Sequence, residues 1–240
     1  IPWADVYGFS TYTTTYRRTL QIAQIAGQIN PEAYMVAGGP HASALPEQVA
    51  EHFDTVVIGE GEAAMLSVMQ TLARGEAPPR ILVGLPVADL DSLPFPDYSL
   101  IDLTSYHRVV QGAPSLSILS SRGCPHRCVF CNSIIMGGNR RGRFRSAANV
   151  AGEIRHLKTT YDVTSFRFQD DIFTLNLPRL RELTPLLQSE GIIYRCFGRV
   201  DRCSRQMSDL LVAGGCRHIA FGVESGSSVI LEKMEFPDPV

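Results

Sequence analysis

The sequence predicts an α/β fold in two parts, and three observations support this prediction. Strand-length apolar runs alternate with segments of helical period over residues 1–75, and the same alternation returns over 115–240. A proline-rich stretch lies between the two parts. The 240 residues are 45% hydrophobic and 19% charged, an ordinary composition for a globular protein with a sizeable core.

The first part, over 1–75, alternates strands and helices. Short apolar runs predict strands over 5–10, 34–37 and 55–58. Apolar residues at helical spacing predict helices over 16–29, 45–52 and 62–74. We therefore expect a parallel sheet with helices on its faces, a Rossmann-like arrangement.

Turns rich in glycine and hydroxyl groups follow these predicted strands. Ser10 begins the first turn, Gly38-Gly39 forms the second, and 59–62 forms the third. Sheets of this kind bind ligands at the carboxyl ends of their strands, and paired glycines let a bulky ligand approach the backbone. Plain tight turns are the alternative interpretation.

Residues 76–114 are predicted to form an extended linker. Few apolar residues recur periodically there, and prolines are dense, at Pro78, Pro79, Pro86, Pro94 and Pro96.

The second part, over 115–240, has the pattern of a partial (β/α) barrel. Strands are predicted over 115–120, 165–168, 194–198 and 218–222, and helices over 147–160, 177–190 and 206–213. Ser146 is expected to cap the first of these helices. Catalytic and binding groups of such barrels gather at the carboxyl ends of the strands.

Three of the six cysteines lie within eight residues, at Cys124, Cys128 and Cys131, just after a predicted strand and Gly123. The C-x3-C-x2-C spacing lets three thiolates converge on one metal centre. An iron–sulfur cube normally takes four cysteines, so three leave one iron open, as in a catalytic metal site. A zinc site is the alternative, with His126 as the nearest candidate for a fourth ligand.

This loop, with Phe130 before the third cysteine, resembles the signature of radical S-adenosylmethionine (SAM) enzymes. The resemblance implies that Cys124, Cys128 and Cys131 are catalytic and metal-binding, since they would hold a 4Fe-4S cluster. It implies that SAM chelates the open iron, with Phe130 as a cofactor-binding residue. One electron would then cleave SAM to a 5′-deoxyadenosyl radical.

The first part resembles the second half of a cobalamin-binding domain. Ser10-Thr-Tyr12 and Gly38-Gly39 match two of its motifs in order, although Tyr12 replaces Leu or Thr. The resemblance implies that Ser10, Gly38 and Gly39 bind cobalamin. His41 is expected to be a surface or turn-bonding residue rather than a cobalt ligand.

The resemblance also implies a sequence truncated at both ends. The Asp-x-His-x-x-Gly motif, which supplies the lower cobalt ligand, would lie upstream of Ile1. Four barrel strands are predicted, whereas the family's partial barrel usually has six.

Polar residues at later strand ends resemble cofactor contacts of the same family. Asp170, slightly favoured over Asp171, is expected to contact the substrate side or the amino group of SAM. Arg199 matches a position that reaches the methionine carboxylate, and Glu224 matches an acid that binds the ribose hydroxyls. A helix-capping acid is the alternative for Glu224.

The other cysteines, Cys196, Cys203 and Cys216, lie on separate elements without paired spacing. Structural thiols are the favoured interpretation, and ligands of an auxiliary cluster are the alternative.

These features predict a cobalamin-dependent radical SAM enzyme that transfers a methyl group to an unactivated carbon or phosphorus centre. A cobalamin-dependent cyclase or ring-rearranging enzyme, acting on a tetrapyrrole or natural product, is the alternative. A non-catalytic module that binds cobalamin or an iron–sulfur cluster is the alternative from another class.

The expected partners are a small-molecule or peptide substrate and an electron donor such as flavodoxin or ferredoxin. The net charge of −2 gives no indication of a nucleic-acid or membrane-surface partner. No apolar run approaches the roughly 20 residues of a spanning helix. A cytoplasmic location is expected, because a low-potential cluster needs a reducing compartment.

Overall fold

A computed structural model describes residues 1–131 and 141–234 of the chain. Within these residues the chain divides into two compact units, one containing Ile1–Val87 with Phe130 and Cys131, and the other containing Ala88–Val129 and 141–234. Each unit is built on a four-stranded parallel sheet with associated helices. The predicted α/β fold class is therefore confirmed.

The first unit alternates strands and helices as its sequence pattern predicts. Its strands are β1 (Val6–Ser10), β2 (Tyr34–Gly38), β3 (Thr55–Gly59) and β4 (Ile81–Gly84). Its helices are α1 (Tyr16–Ile29), α2 (Pro40–Ala44), α3 (Pro46–Ala50) and α4 (Glu62–Ala73). The strands follow the order β1-β2-β3-β4 and all pair in parallel.

Helices cover both faces of this first sheet. Ala37 and Val56 face a core shared with α1, α2 and α3. Their chain neighbours Val36 and Val57 face the opposite core, which is completed by Ala64 and Val68 of α4 and their neighbours. Successive strand residues point to opposite faces, so near-continuous apolar strands such as 55–58 are buried on both sides.

The stretch expected to be an extended linker is more structured than predicted. β4 lies inside it and pairs with β3. Asp89, Asp97 and Asp102 each begin a 3-10 turn by accepting a backbone N–H two residues later. Leu90, in the first of these turns, is 3% exposed. Aspartate side chains stabilise turns in this way, and proline density alone does not reveal it.

The second unit contains the remaining described elements. Its strands are β5 (Val109–Val110), β6 (Ala113–Pro114), β7 (Leu116–Ile118), β8 (Ser121–Arg122), β9 (Arg143–Phe144), β10 (Ser165–Phe168), β11 (Ile193–Arg199) and β12 (Cys216–Gly222). Its helices are α5 (Ala147–Tyr161), α6 (Leu177–Glu190), α7 (Arg205–Ala213) and α8 (Ser228–Met234). The main sheet has the order β12-β11-β10-β7, and the β5–β6 and β8–β9 pairs are antiparallel.

One face of this second sheet packs against α5, α6 and α7. Phe166, Phe168 and Tyr194 project from it into the largest apolar core of the unit. The alternate residues Arg167 and Arg195 are only half-buried on the opposite face. The alternation therefore separates an apolar face from a polar one.

Two further expectations can be compared with the structure. Ser146 caps α5 as predicted, because its Oγ accepts the N–H of Asn149 at 3.1 Å. No helix among the described residues has the length and apolar character needed to cross a membrane.

Candidate functional site

The residues expected to bind cobalamin lie together at the carboxyl edge of the first sheet. Ser10 ends β1 and pairs in register with Gly38, which ends β2. Gly39 follows with a φ of 93°, in the left-handed region that favours glycine. Ser10 is exposed at this edge.

Thr11, which sequence reasoning did not single out, holds this edge together. Its N–H and its hydroxyl both donate to the Gly38 carbonyl at 2.8 Å. The hydroxyl oxygen also accepts the N–H of Ala42 at 3.0 Å. A Cβ on Gly39 would lie 3.0 Å from the Thr11 nitrogen, so a larger residue would strain the turn. The exposed Ser10 hydroxyl and the half-buried glycine backbone fit the amide-bearing periphery of a corrinoid.

His41 is a buried residue, so the expectation that it lies on the surface is wrong. It is 4% exposed, and its Nδ1 shares a hydrogen bond of 3.0 Å with the Thr13 hydroxyl. Its ring packs on that of Tyr16, with 4.1 Å between the ring centroids. The turn-bonding alternative agrees with this arrangement.

The cysteine loop begins where β8 ends, at Gly123 with a φ of 88°; Cys124 and Cys128 lie in the second unit, whereas Phe130 and Cys131 group with the first. Cys124 and Cys128 are half-buried, Cys131 is exposed, and all three are free thiols. Phe130 is 52% exposed. Within 1–131 and 141–234 no three metal-ligating side chains are close enough to hold an ion, so this ligand set stays a prediction. Three thiols from one short loop nevertheless suit an iron–sulfur cluster chemically.

Asp170 lies in the protein interior, with 1% of its surface exposed. One oxygen accepts the N–H of Ser120 at 2.7 Å, and the other accepts the hydroxyls of Ser120 and Ser121 at 2.6 and 2.5 Å. Burial raises the pKa of Asp170, and these hydrogen bonds oppose the rise. Both carboxylate oxygens accept hydrogen bonds from other residues of the protein, which argues against the expected cofactor contact of Asp170.

Asp171 is the better placed of the two adjacent acids. It is exposed, and its carboxylate accepts the N–H of Gly123 at the start of the cysteine loop. Desolvation raises its pKa, while the Gly123 hydrogen bond lowers it. The structure thus reverses the slight preference for Asp170, because neighbouring residues at a strand end point in different directions.

Two arginines, the half-buried Arg145 and the buried Arg179, brace the strand that leads into the cysteine loop. Arg145 donates to the Leu119 carbonyl at 2.9 Å and forms an ion pair with Glu153 of α5. Arg179 of α6 donates to the Ser120 carbonyl at 2.9 Å. Sequence reasoning did not single out Arg179 or Glu153. Each is a charged residue next to a buried apolar residue of a predicted helix, Leu180 and Ile154 respectively, and this position was a usable signal.

Arg199, at the end of β11, lies next to the cysteine loop. Its Nε and Nη2 donate to the two carboxylate oxygens of Asp201 at 2.9 and 3.0 Å. Its Nη1 lies 3.7 Å from the Cys128 sulfur. The bidentate pair fixes the guanidinium plane and places positive charge against a predicted cluster ligand.

Glu224 follows β12 in an unusual backbone conformation. Its φ is 59°, which is uncommon for a residue other than glycine. A Cβ on Gly222 would lie 2.3 Å from a Glu224 carboxylate oxygen, so the carboxylate folds back over that glycine. Gly222 pairs in register with Arg199, which brings the two predicted cofactor-binding positions to neighbouring strand ends. Such backbone strain is typical of ligand-binding positions.

A cavity of about 360 Å³ adjoins the cysteine loop and is bordered by Pro125, His126, Thr174 and Met207, among others. Thr174 is 5% exposed, and its hydroxyl oxygen has no hydrogen-bond partner among the described residues. The carboxyl edge of the second sheet therefore combines thiols, a fixed guanidinium, a strained carboxylate and a cavity.

Comparisons with protein families match both units. A model of the B12 binding domain matches residues 2–69. A model of the radical SAM superfamily matches residues 118–239, which is more than half of the chain.

Two curated relatives align along nearly the whole chain. An uncharacterized methyltransferase of Pyrococcus horikoshii is 31% identical over 95% of this chain and 53% of its own length. An anaerobic magnesium-protoporphyrin IX monomethyl ester cyclase of Rubrivivax gelatinosus is 26% identical over 95% of this chain and 45% of its own length. The chain thus spans about half the length of these relatives.

A solved structure shares the fold. The radical SAM methyltransferase TsrM from Kitasatospora setae, determined with tryptophan substrate and a SAM analogue, superposes with a TM-score of 0.75. The match covers 96% of this chain and 51% of that chain at 18% sequence identity.

Proposed function

The chain belongs to the radical SAM superfamily, with a B12-binding domain ahead of the radical SAM domain, and from this premise we propose that it is part of a cobalamin-dependent methyltransferase. The proposed reaction transfers a methyl group to an unactivated carbon or phosphorus centre of a small molecule. Methyltransferases among the similar proteins support this choice.

The observation that carries the proposal is the set of three free thiols in one short loop, Cys124, Cys128 and Cys131, with Cys128 beside Arg199 at the carboxyl end of β11. When bound, the cluster supplies the electron that cleaves SAM, and cobalamin supplies a methyl carrier. The three cysteines would hold the cluster, while Ser10, Gly38 and Gly39 would contact cobalamin.

Arg199 would stabilise the negative charge of a cluster that carries three thiolates. Its distance of 3.7 Å from the Cys128 sulfur is suitable for this role, and Asp201 keeps the guanidinium oriented. A carboxylate of the bound cofactor would have to share this guanidinium with Asp201, since arginine binds carboxylates through the same donors.

The two carboxylates near this edge would have different roles. Asp171 is exposed beside Gly123 and would accept hydrogen bonds from an ammonium group. Glu224 is exposed, with its backbone strained, and would accept from ribose hydroxyls. Asp170 instead positions the cysteine loop by holding Ser120 and Ser121.

The proposal is tested by anaerobic reconstitution of the full-length protein with iron, sulfide, cobalamin and SAM. The wild type is expected to form 5′-deoxyadenosine under reducing conditions. Cys128→Ala is expected to lose iron and to lose 5′-deoxyadenosine formation, because one ligand is removed. Cys203→Ala is the matched control, because Cys203 is an exposed thiol outside the loop, and it should keep both properties.

Two outcomes would contradict the proposal. Full iron content in Cys128→Ala would refute the ligand assignment. A fully loaded wild-type cluster without 5′-deoxyadenosine would refute the radical reaction and favour a non-catalytic binding module.

The cyclase alternative has a specific basis in the similarity to the Rubrivivax gelatinosus enzyme. SAM labelled in its methyl group separates the two reactions, once candidate substrates are supplied. Methyl transfer predicts label in the product, whereas cyclisation predicts an unlabelled product.

The electron donor is proposed to be a flavodoxin or ferredoxin, and the location to be the cytoplasm.

A further inference from the structure

The face of the second sheet that points away from α5, α6 and α7 carries a row of polar side chains. Parallel pairing aligns four residues across the four strands, namely Ser117, Arg167, Arg195 and His218. Aligned residues of neighbouring strands project from the same face. The row therefore crosses the whole width of the sheet.

The two central members of this row carry like charges side by side. Neighbouring strands lie about 4.8 Å apart, and like charges directly opposite each other destabilise a sheet. Burial, followed by the positive charges of Arg195 and Arg108, lowers the pKa of Arg167. Three arginines thus contribute to one region of positive potential.

Arg167 and Arg195 have no hydrogen-bond or ion-pair partner in the part of the chain that the structure describes. The Nε atom of each is buried and has no hydrogen-bond partner there. No carboxylate within 1–131 or 141–234 forms an ion pair with either guanidinium. A buried donor without a partner is rare in proteins and calls for an explanation.

The Arg195 side chain is also held in place before any ligand binds. The guanidinium carbon of Arg195 lies 5.2 Å from the centroid of the Phe197 ring, a cation–π contact along β11. β5 packs against both β10 and β11. A guanidinium oriented in advance loses less conformational entropy when it binds an anion.

The row lies on the same strand as a residue of the candidate cofactor site. Arg195, Phe197 and Arg199 alternate along one face of β11, and Arg199 contacts Cys128. Four residues of parallel strand span about 13 Å at roughly 3.3 Å per residue. A group anchored at Arg195 could therefore extend along this face toward the cysteine loop.

We propose that Arg167 and Arg195 form an oxyanion subsite that binds a phosphate or phosphonate group of the substrate. The proposal rests on the function proposed above, because it names a chemical class for the substrate of that reaction. The anion would satisfy the buried Nε donors and remove the repulsion between the arginines.

A dianionic group suits this subsite better than a carboxylate. Two arginines pair in register on neighbouring strands, and Arg108 adds a third positive charge that acts on Arg167. A phosphate-type group offers three oxygens and nearly two negative charges, whereas a carboxylate offers two oxygens and one charge. Ser117 and His218 flank the arginines in the same row and would donate to the outer oxygens.

The test is calorimetric titration of the reconstituted full-length protein with methylphosphonate and, separately, with acetate at equal ionic strength. Methylphosphonate is expected to bind more tightly than acetate. Arg167→Gln and Arg195→Gln should each weaken methylphosphonate binding about tenfold, since each removes charge-assisted hydrogen bonds. Arg195→Lys keeps the charge but loses the planar fork, so it should weaken binding less than the Gln variant.

The matched control is Arg205→Gln, whose side chain is 94% exposed on α7. It should bind methylphosphonate like the wild type. Thermal unfolding of every variant verifies that the fold is kept, and Arg195→Lys provides the test if Arg195→Gln does not fold. Equal binding in the wild type and both Gln variants would overturn the proposal, as would no binding in the wild type. Tighter binding of acetate would overturn the phosphate assignment.

The outcome is separable from that of the proposed function. Binding of methylphosphonate needs no electron transfer, and formation of 5′-deoxyadenosine by the wild type needs no intact anion subsite. Loss of binding in the Gln variants together with an inactive wild type would support the subsite and refute the radical reaction. An active wild type that binds no methylphosphonate would support the radical reaction and refute the subsite.

Discussion

The two parallel sheets of this protein have the same number of strands but use their faces differently. The first sheet packs apolar cores on both faces, with Val36 and Val57 on one side and Ala37 and Val56 on the other. The second sheet packs one apolar core, and its opposite face carries charged side chains such as Arg167.

This difference determines where each unit can bind a ligand. A sheet buried on both faces leaves its carboxyl edge for ligands, and Ser10, Gly38 and Gly39 lie at that edge. A sheet with one polar face can bind ligands at its edge and along the face. In the functions proposed above, the second unit would bind a cofactor near Cys128 and a substrate group near Arg195.

The largest expected effect on stability comes from placing a charged residue on a buried face of the first sheet. Val57→Arg would bury an unpaired charge in the first unit and should lower the free energy of unfolding by more than about 4 kcal/mol. Arg167→Leu changes the polar face of the second sheet and should alter it by no more than about 1 kcal/mol. Urea unfolding, followed by circular dichroism, measures both. Similar losses of unfolding free energy in the two variants would contradict the difference between the two sheets.

A smaller but substantial loss is expected at the edge of the second sheet. Asp170→Asn keeps the shape but removes the charge that accepts from Ser120 and Ser121, beside Arg179. We expect a loss of about 3 kcal/mol, because one of the two buried acceptor oxygens is replaced by an NH2 donor.

The matched control for this variant is Asp209→Asn, which changes a side chain that is 69% exposed. It should change stability by less than about 0.5 kcal/mol. A loss at Asp170 no greater than that at Asp209 would contradict its structural role.

The smallest of the three effects is expected at the edge of the first sheet. Gly39→Ala places a Cβ 3.0 Å from the Thr11 nitrogen at a φ of 93° and should cost about 2 kcal/mol. Gly61→Ala is the control, because a Cβ there meets nothing within 4 Å and its φ is −90°. Differential unfolding of the two variants measures this difference. Equal stabilities would show that the turn at Gly39 tolerates a side chain.

Local patterns in the sequence predicted much of the fold. The helix from Ala147 to Tyr161 and its Ser146 cap follow from residues that are neighbours in the chain. The strand predicted over 165–168 is likewise present as β10. Proline density in 76–114 was less informative, because it did not reveal β4.

The candidate site was predicted less completely, because its contacts join distant parts of the chain. Asp170 lies 50 residues from Ser120, and spacing alone could not show that these two residues bond each other. His41 is buried because Thr13 and Tyr16 pack around it, a contact that a Gly-Pro turn does not indicate.

The sequence encodes those features of this protein that depend on residues close together in the chain. Periodicity sets the order of strands and helices, and the spacing of Cys124, Cys128 and Cys131 places three thiols on one loop. The pattern of the sequence does not show which strands are neighbours or in what register they pair; the folded structure does. That register places Arg167 beside Arg195 and Arg199 beside Gly222, because pairing between strands depends on packing across the whole sheet.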